Sequence, residues 1–255
     1  MTGDVSPGAA LEIDPPAAQR RWTVLLRMIL IIPQWFVLLF VGIAAAAVVF
    51  IGWWAALFTG RLPDWAAEFL TGYLSWSARL YAYGTLLVDR YPPFSFSAEG
   101  YPVRVVLPPP TELNRLAVLF RLILLIPAAL VLEFVGYGWA LLSFFIWLVV
   151  LILGRPPEAL FGATAAMIRY QLRYVAYGMM LTSVYPKRLF GDETVDAMPP
   201  TSPTNPLRLT RNARVLLIVM LVVGVLGFVG QITLNVTSAN RFGSSGYGTS
   251  GYGTF

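Results

Sequence analysis

The stretch Arg21–Phe96 occurs twice in this chain, and that repetition limits the possible folds more than any other feature. Arg21 falls on Arg115, and the copies run without a gap to Phe96 on Phe190, at a constant spacing of 94 (115 − 21). Arg27 meets Arg121, Pro33 meets Pro127, Trp53 meets Trp147, and Gly60-Arg61 meets Gly154-Arg155. Further on, Arg79 meets Arg173, Ala82-Tyr83-Gly84 meets Ala176-Tyr177-Gly178, and Tyr91-Pro92 meets Tyr185-Pro186. Two apolar segments resemble each other by composition alone, but shared greasiness does not align arginine, proline, glycine, tryptophan and tyrosine. A repeat is a physical unit, so each copy predicts one folding unit.

Composition says where such units reside. Of the 255 residues 57% are hydrophobic and only 12% are charged, and the mean hydropathy is +0.68. Those values belong to a membrane protein. The chain has no cysteine and no histidine, which excludes thiol nucleophiles, disulfides, His-ligated metals and imidazole acid–base chemistry. No cofactor is expected. The net charge of +5 fits a cytoplasmic Lys/Arg bias, and without a basic patch interleaved with aromatics it predicts no nucleic-acid partner. Residues 1–18 are polar and proline-bearing, read as disordered, and lack the pattern of a cleavable signal peptide.

Within each copy the pattern predicts a helical hairpin. Arg20, Arg21 and Arg27 lead an amphipathic run to Ile32, expected to be an interfacial helix that Pro33 breaks or bends. Residues 34–58 carry no charge and reach about 37 Å as a helix, enough to cross the hydrocarbon core with tilt. After the Gly60-Arg61 turn, 64–87 forms a second, more polar span. The second copy, 113–190, repeats this with spans at 128–152 and 158–181. Residues 97–112 form a cytoplasmic connector, 191–214 a linker, 215–234 a fifth span, and 235–255 a flexible Gly/Ser/Tyr tail. With the N-terminus cytoplasmic and the C-terminus outside, this arrangement leaves only Arg61, Arg155 and Arg241 outside, of 18 Lys and Arg. That agrees with the positive-inside rule. The predicted fold class is therefore all-α, with two tandem parallel hairpin repeats, a C-terminal transmembrane helix and a small β element on the cytoplasmic face. Phe94–Phe96, Val103–Leu107, Leu11–Asp14 and Leu189–Phe190 are its candidate pieces, with an ordered loop as the alternative.

Charges inside the apolar spans call for an account, because each costs about 2.5–3.5 kcal/mol to insert. They are Arg79, Glu133, Arg169 and Arg173. Two of them belong to one copy only, since Leu39 stands opposite Glu133 and Ser75 opposite Arg169. One expectation is an interhelical ion-pair cluster that fixes packing. The other is a polar cleft between the repeats that takes an anionic lipid headgroup or an anionic substrate.

Pro33, Phe58-Thr59-Gly60-Arg61, Trp76 and Asp89-Arg90-Tyr91-Pro92-Pro93-Phe94 resemble the bacterial membrane family catalogued as domain of unknown function 4389. Tyr185-Pro186-Lys187-Arg188-Leu189 is similar to that family's Tyr-Pro-Glu-Arg-Leu element, with Lys187 in place of the acid. The second copy departs at Val184, where the first has Arg90, and at Lys187, where it has Pro93. The resemblance implies a multi-pass protein of the bacterial plasma membrane and brings no catalytic residues with it. Without an acid pair near a nucleophile or a phosphate-cradling loop, a non-enzymatic role is expected. That role is an accessory or scaffold subunit of an envelope complex, with lipid transport as one candidate task, in contact with membrane lipids and partner subunits. The alternative is a lipid-binding carrier that uses the inter-repeat cleft.

Overall fold

The computed structural model describes residues 8–108, 112–192 and 202–244. In chain order these form β1 (Ala10–Ile13), α1 (Arg21–Thr59), α2 (Asp64–Gly84), β2 (Val103–Val106), α3 (Arg115–Leu119), α4 (Arg121–Leu153), α5 (Glu158–Gly178) and α6 (Arg211–Ser244). The first seven residues, the middle of the linker and the C-terminal Gly/Ser/Tyr repeats lie outside the described residues.

Pro33 does not break α1. The helix runs unbroken from Arg21 to Thr59 with the proline inside it, so the expected interfacial helix and first span are one element. Tertiary packing outweighs the one lost donor, because a buried stripe from Val24 to Ala56 continues through the proline. The second copy is interrupted instead at Phe120, between α3 and α4, and Asn114 caps α3 by accepting from the Leu116 and Ala117 amides. The Gly-Arg turns act alike in both copies. Gly60 (φ 78°) and Gly154 (φ 69°) end α1 and α4 in the left-handed conformation and donate to Ala56 O and Val150 O. The shorter helices also end alike, on Leu86 (φ 67°) and Met180 (φ 63°). Leu86 N–H donates to Tyr83 O and Leu87 N–H to Ala82 O, with the same bonds from Met180 and Leu181.

The two copies meet through bonds exchanged reciprocally. Leu113 N–H donates to Gly60 O at 2.8 Å, and Gln19 N–H donates to Gly154 O at 2.7 Å. Trp53 Nε1 donates to Val118 O at 3.0 Å, and Trp147 Nε1 donates to Val24 O at 2.9 Å. Each pair maps onto the other at the repeat spacing, as it must about a local twofold. The strands obey the same rule. β1 and β2 pair antiparallel with Leu11 opposite Val105, its own counterpart in the repeat.

This exchange corrects the expected parallel arrangement. The start of α1 lies at the end of α4, and the end of α1 lies at the start of the second copy, so the hairpins run antiparallel. It also removes the predicted sidedness. Gln19 and Leu113 cannot be on one side of a membrane with the Gly60 and Gly154 turns on the other, because they are hydrogen-bonded to those turns. The β element is the β1–β2 pair, whereas 94–96 and 189–190 form bends and turns. The N-terminal segment is ordered from Gly8. The linker joins the core too, because Thr204 Oγ1 donates to Leu11 O and accepts from Ile13 N–H.

Three helices are long and apolar enough to cross a membrane: Arg21–Thr59, Arg121–Leu153 and Arg211–Asn235. The chain is accordingly a helical membrane protein. The helices α2 and α5, expected to cross as well, are not among them: α5 is buried at every residue from Ala163 to Tyr170, and α2 is buried along one side with Trp65, Glu68 and Tyr81 exposed. The last helix, α6, continues past the expected end at Leu234 to Ser244. It packs on α4 and α5 and has no counterpart in the first copy. Its crossing with α4 brings backbones together, since a Cβ on Gly138 would overlap Met220 O and one on Gly224 would overlap Phe134 O. Tyr137 Oη donates to Gln231 Oε1 at 2.6 Å beside this contact.

Two outcomes follow for thermal unfolding in detergent. Gly224→Leu forces the helices apart and costs about 3 kcal/mol, as overpacking does. Trp53→Phe and Trp147→Phe each lose one bond of the exchange and cost about 1 kcal/mol, by similar amounts because the sites are equivalent. An unchanged melting temperature in either tryptophan variant would contradict the seam.

Candidate functional site

Each hairpin is closed at its root by a buried arginine. Arg27 is 1% exposed, yet it lies one turn and a half into an apolar helix. Burying a guanidinium is tolerated only where its donors find acceptors. Arg27 Nη1 donates to Tyr83 O (2.7 Å) and Val88 O (2.9 Å), and Nη2 meets Asp89 Oδ1 at 3.0 Å. Its guanidinium lies 4.3 Å from the Tyr83 ring centroid. Asp89 also accepts from Arg20 Nε at 3.2 Å and from the Thr23 hydroxyl. The second copy keeps the centre of this arrangement. Arg121 donates to Tyr177 O at 2.7 Å and stacks 4.2 Å from the Tyr177 ring centroid, with Ser183 where the first copy has Asp89.

The signature residues build the layer around these roots. Arg90 Nη1 donates to Gly100 O at 2.8 Å, and Tyr101 Oη donates to Arg90 O at 2.7 Å. Burial raises the Tyr101 phenol above its ordinary range and keeps it a donor. Tyr91 packs edge-on against Tyr83, and Tyr185 packs likewise against Tyr177. Pro92 O accepts from Gln34 Nε2 at 2.6 Å, and Gln34 Oε1 accepts from Trp76 Nε1 at 2.8 Å, so the fully buried amide has both ends satisfied. Pro186 is buried in the corresponding layer of the second copy.

The four intramembrane candidates do not form one cluster. Arg79 donates to Ser95 O and Phe96 O, holding the first connector against α2. Arg169 and Arg173 share Asp192, with Arg173 Nη2 at 3.3 Å from Oδ1. Arg169 also donates to Arg188 O (2.8 Å), and Arg173 donates to Ala9 O (3.0 Å) and Lys187 O (3.4 Å). Leu207 N–H closes the node by donating to Asp192 at 3.3 Å. Glu133 is exposed on α4, and none of the ion pairs among the described residues includes it. The Ser75/Arg169 asymmetry has a local cause. Ala98 stands where the second copy has Asp192, so arginine and carboxylate occur together as a pair in the second copy and are both missing from the first. Asp192 itself was not singled out from the sequence. Pairing the charges unmatched between copies would have found it.

A hollow of about 460 Å³ lies beside the start of α5, lined among others by Pro15, Pro16, Arg155, Glu158, Phe161 and Arg208. None of Arg79, Glu133, Arg169 and Arg173 lines it.

Fold and site together define a membrane protein made from a duplicated hairpin whose polar residues fasten its own backbone. The chain matches the family described as domain of unknown function (DUF4389) over residues 21–95 and 115–189, and it belongs to that family. Those bounds agree with the internal repeat to one residue. No curated protein and no solved structure matches the chain.

If the arginine nodes hold the fold, removing one partner leaves a buried charge without its counterion. Asp192→Ala is expected to cost about 3–5 kcal/mol in detergent unfolding. Glu133→Gln should stay within about 0.5 kcal/mol, as a surface change does. Equal losses in the two variants would place Glu133 in the network after all.

Proposed function

We propose that this protein is a non-enzymatic scaffold of the bacterial plasma membrane, an accessory subunit of a larger envelope assembly that handles lipids. The observation carrying this reading is the use of the buried arginines. Buried Arg27, Arg79, Arg121 and Arg169, and partly buried Arg173, all donate to carbonyls of the chain's own helix ends and connectors. Their charge is directed inward to the fold and not into a hollow where a headgroup would sit. This weakens the carrier alternative, whose cleft required Glu133 and the arginines to converge. A second support is the apolar surface. Trp22, Phe36, Phe40, Phe50, Trp54 and Phe58 all face outward on α1, where lipid and partner helices would meet it.

Extraction of the full chain in mild detergent, followed by native mass spectrometry, tests the proposal. Defined partner subunits should remain bound. Recovery of the free monomer alone, under conditions that keep other membrane complexes intact, would remove the scaffold reading. Stoichiometric phospholipid lost on Arg173→Ala would favour the carrier.

A further inference from the structure

The path of the two connectors bears on how the protein sits in lipid. The first connector leaves α2 at the root of α1, where Arg27 holds Tyr83 and Val88. It ends at the opposite end of α1, where Leu113 donates to Gly60 O. In between it lies along α2, since a Cβ on Gly72 would come 2.7 Å from Phe96 Cγ. The second connector does the same along α5. It starts beside Tyr177, and its Leu209 side chain reaches Gly162 near the start of that helix. In its described residues, each connector thus returns along its helix, from one end to the other, without being helical.

These returning segments are charged and open. Arg90, Glu99, Arg104, Lys187 and Arg188 are exposed on them. Irregular backbone is tolerated at hydrocarbon depth only inside protein or along a water-filled cavity, and exposed charge there is costly. If α1 and α4 crossed the bilayer end to end, both connectors would have to recross it in this form. The β1–β2 pair, with Glu12, Asp14 and Arg104 at its surface, would face lipid sideways.

The long helices point the same way. Apolar side chains are exposed from Trp22 (75%) to Phe58 (69%) on α1, and from Leu122 to Leu153 on α4. On α1 that apolar length is about 54 Å at roughly 1.5 Å per residue. To place it within a core about 30 Å thick, the helix would have to tilt by about 56°, beyond the usual 0–40° range.

We propose that the two repeats enter the membrane from one side only. In this arrangement α1 and α4 lie as antiparallel apolar rails against acyl chains. Helices α2 and α5 form the layer above them, and the connectors, the strand pair and both Gly-Arg turns share one aqueous face. The partner surface is thus a single lipid leaflet, and the local twofold runs along the membrane normal. The inference does not depend on the scaffold reading, since it concerns lipid contact and not subunit partners.

The chain has no cysteine, so single cysteines report without background. Arg61→Cys, Glu99→Cys, Arg155→Cys and Lys187→Cys are each made in the full-length protein and probed with a membrane-impermeant maleimide. Sealed right-side-out and inside-out vesicles are compared, with detergent-solubilised samples giving full labelling. All four should label in one vesicle orientation and lose labelling in the other. Labelling of Arg61→Cys and Arg155→Cys from opposite sides would overturn the proposal in favour of spanning inverted repeats. Labelling of both turns from the side opposite Glu99→Cys and Lys187→Cys would overturn it in favour of parallel spanning hairpins. The unmodified protein provides a second reading by trypsin: cleavage after Arg61, Arg90 and Lys187 in the same vesicle orientation supports one-sided insertion, and cleavage split between orientations refutes it.

Discussion

A guanidinium buried at the root of a hairpin is the constraint on which this structure depends. Arg27 and Arg121 sit in apolar helices and lie over the rings of Tyr83 and Tyr177. A charge in that position is stable only if fixed carbonyls meet it, and the end of the returning helix supplies them. Satisfying the arginine therefore fixes where α2 and α5 must stop. The left-handed residues Leu86 and Met180 turn the chain there, and the connector leaves from that point.

From those roots the two hairpins assemble by exchanging equivalent contacts. The Gly60 and Gly154 carbonyls, left open by the helix ends, accept from Leu113 and Gln19 of the opposite copy. The tryptophans reach across in the same reciprocal way. A twofold relation of this kind brings the shorter helices α2 and α5 into contact and leaves long apolar faces of α1 and α4 exposed. It is broken where α6 joins. Gly138 and Gly224 let α6 approach α4 to backbone contact, whereas Ala44 stands at the position of Gly138 in the first copy.

Much of this was legible in the residues. The duplication, the Gly-Arg turns, the membrane class and the pairing potential of Leu11–Asp14 with Val103–Leu107 all came from spacing and composition. The site was legible only in part. The apolar surroundings of Arg79, Arg169 and Arg173 mark them as charges needing partners, but those partners are connector carbonyls and Asp192, 14 or more residues further along the chain. Glu133 looked like their counterion because it shares the apolar span. It faces outward, since helical phase decides direction and Val135 and Gly138 take the inward positions of α4.

The sequence by itself determined that there are two equivalent units, that they are apolar enough for a membrane, and that the long helices turn at Gly60 and Gly154. Those properties are local: they follow from side-chain chemistry, left-handed glycine and spacing along the chain. Only the tertiary structure decided that the units meet antiparallel, that Pro33 is carried inside one helix, and that the arginines serve the fold. The physical reason is that a buried donor is satisfied by whichever carbonyl the packed chain brings to it, and that carbonyl's position is a property of the assembled backbone.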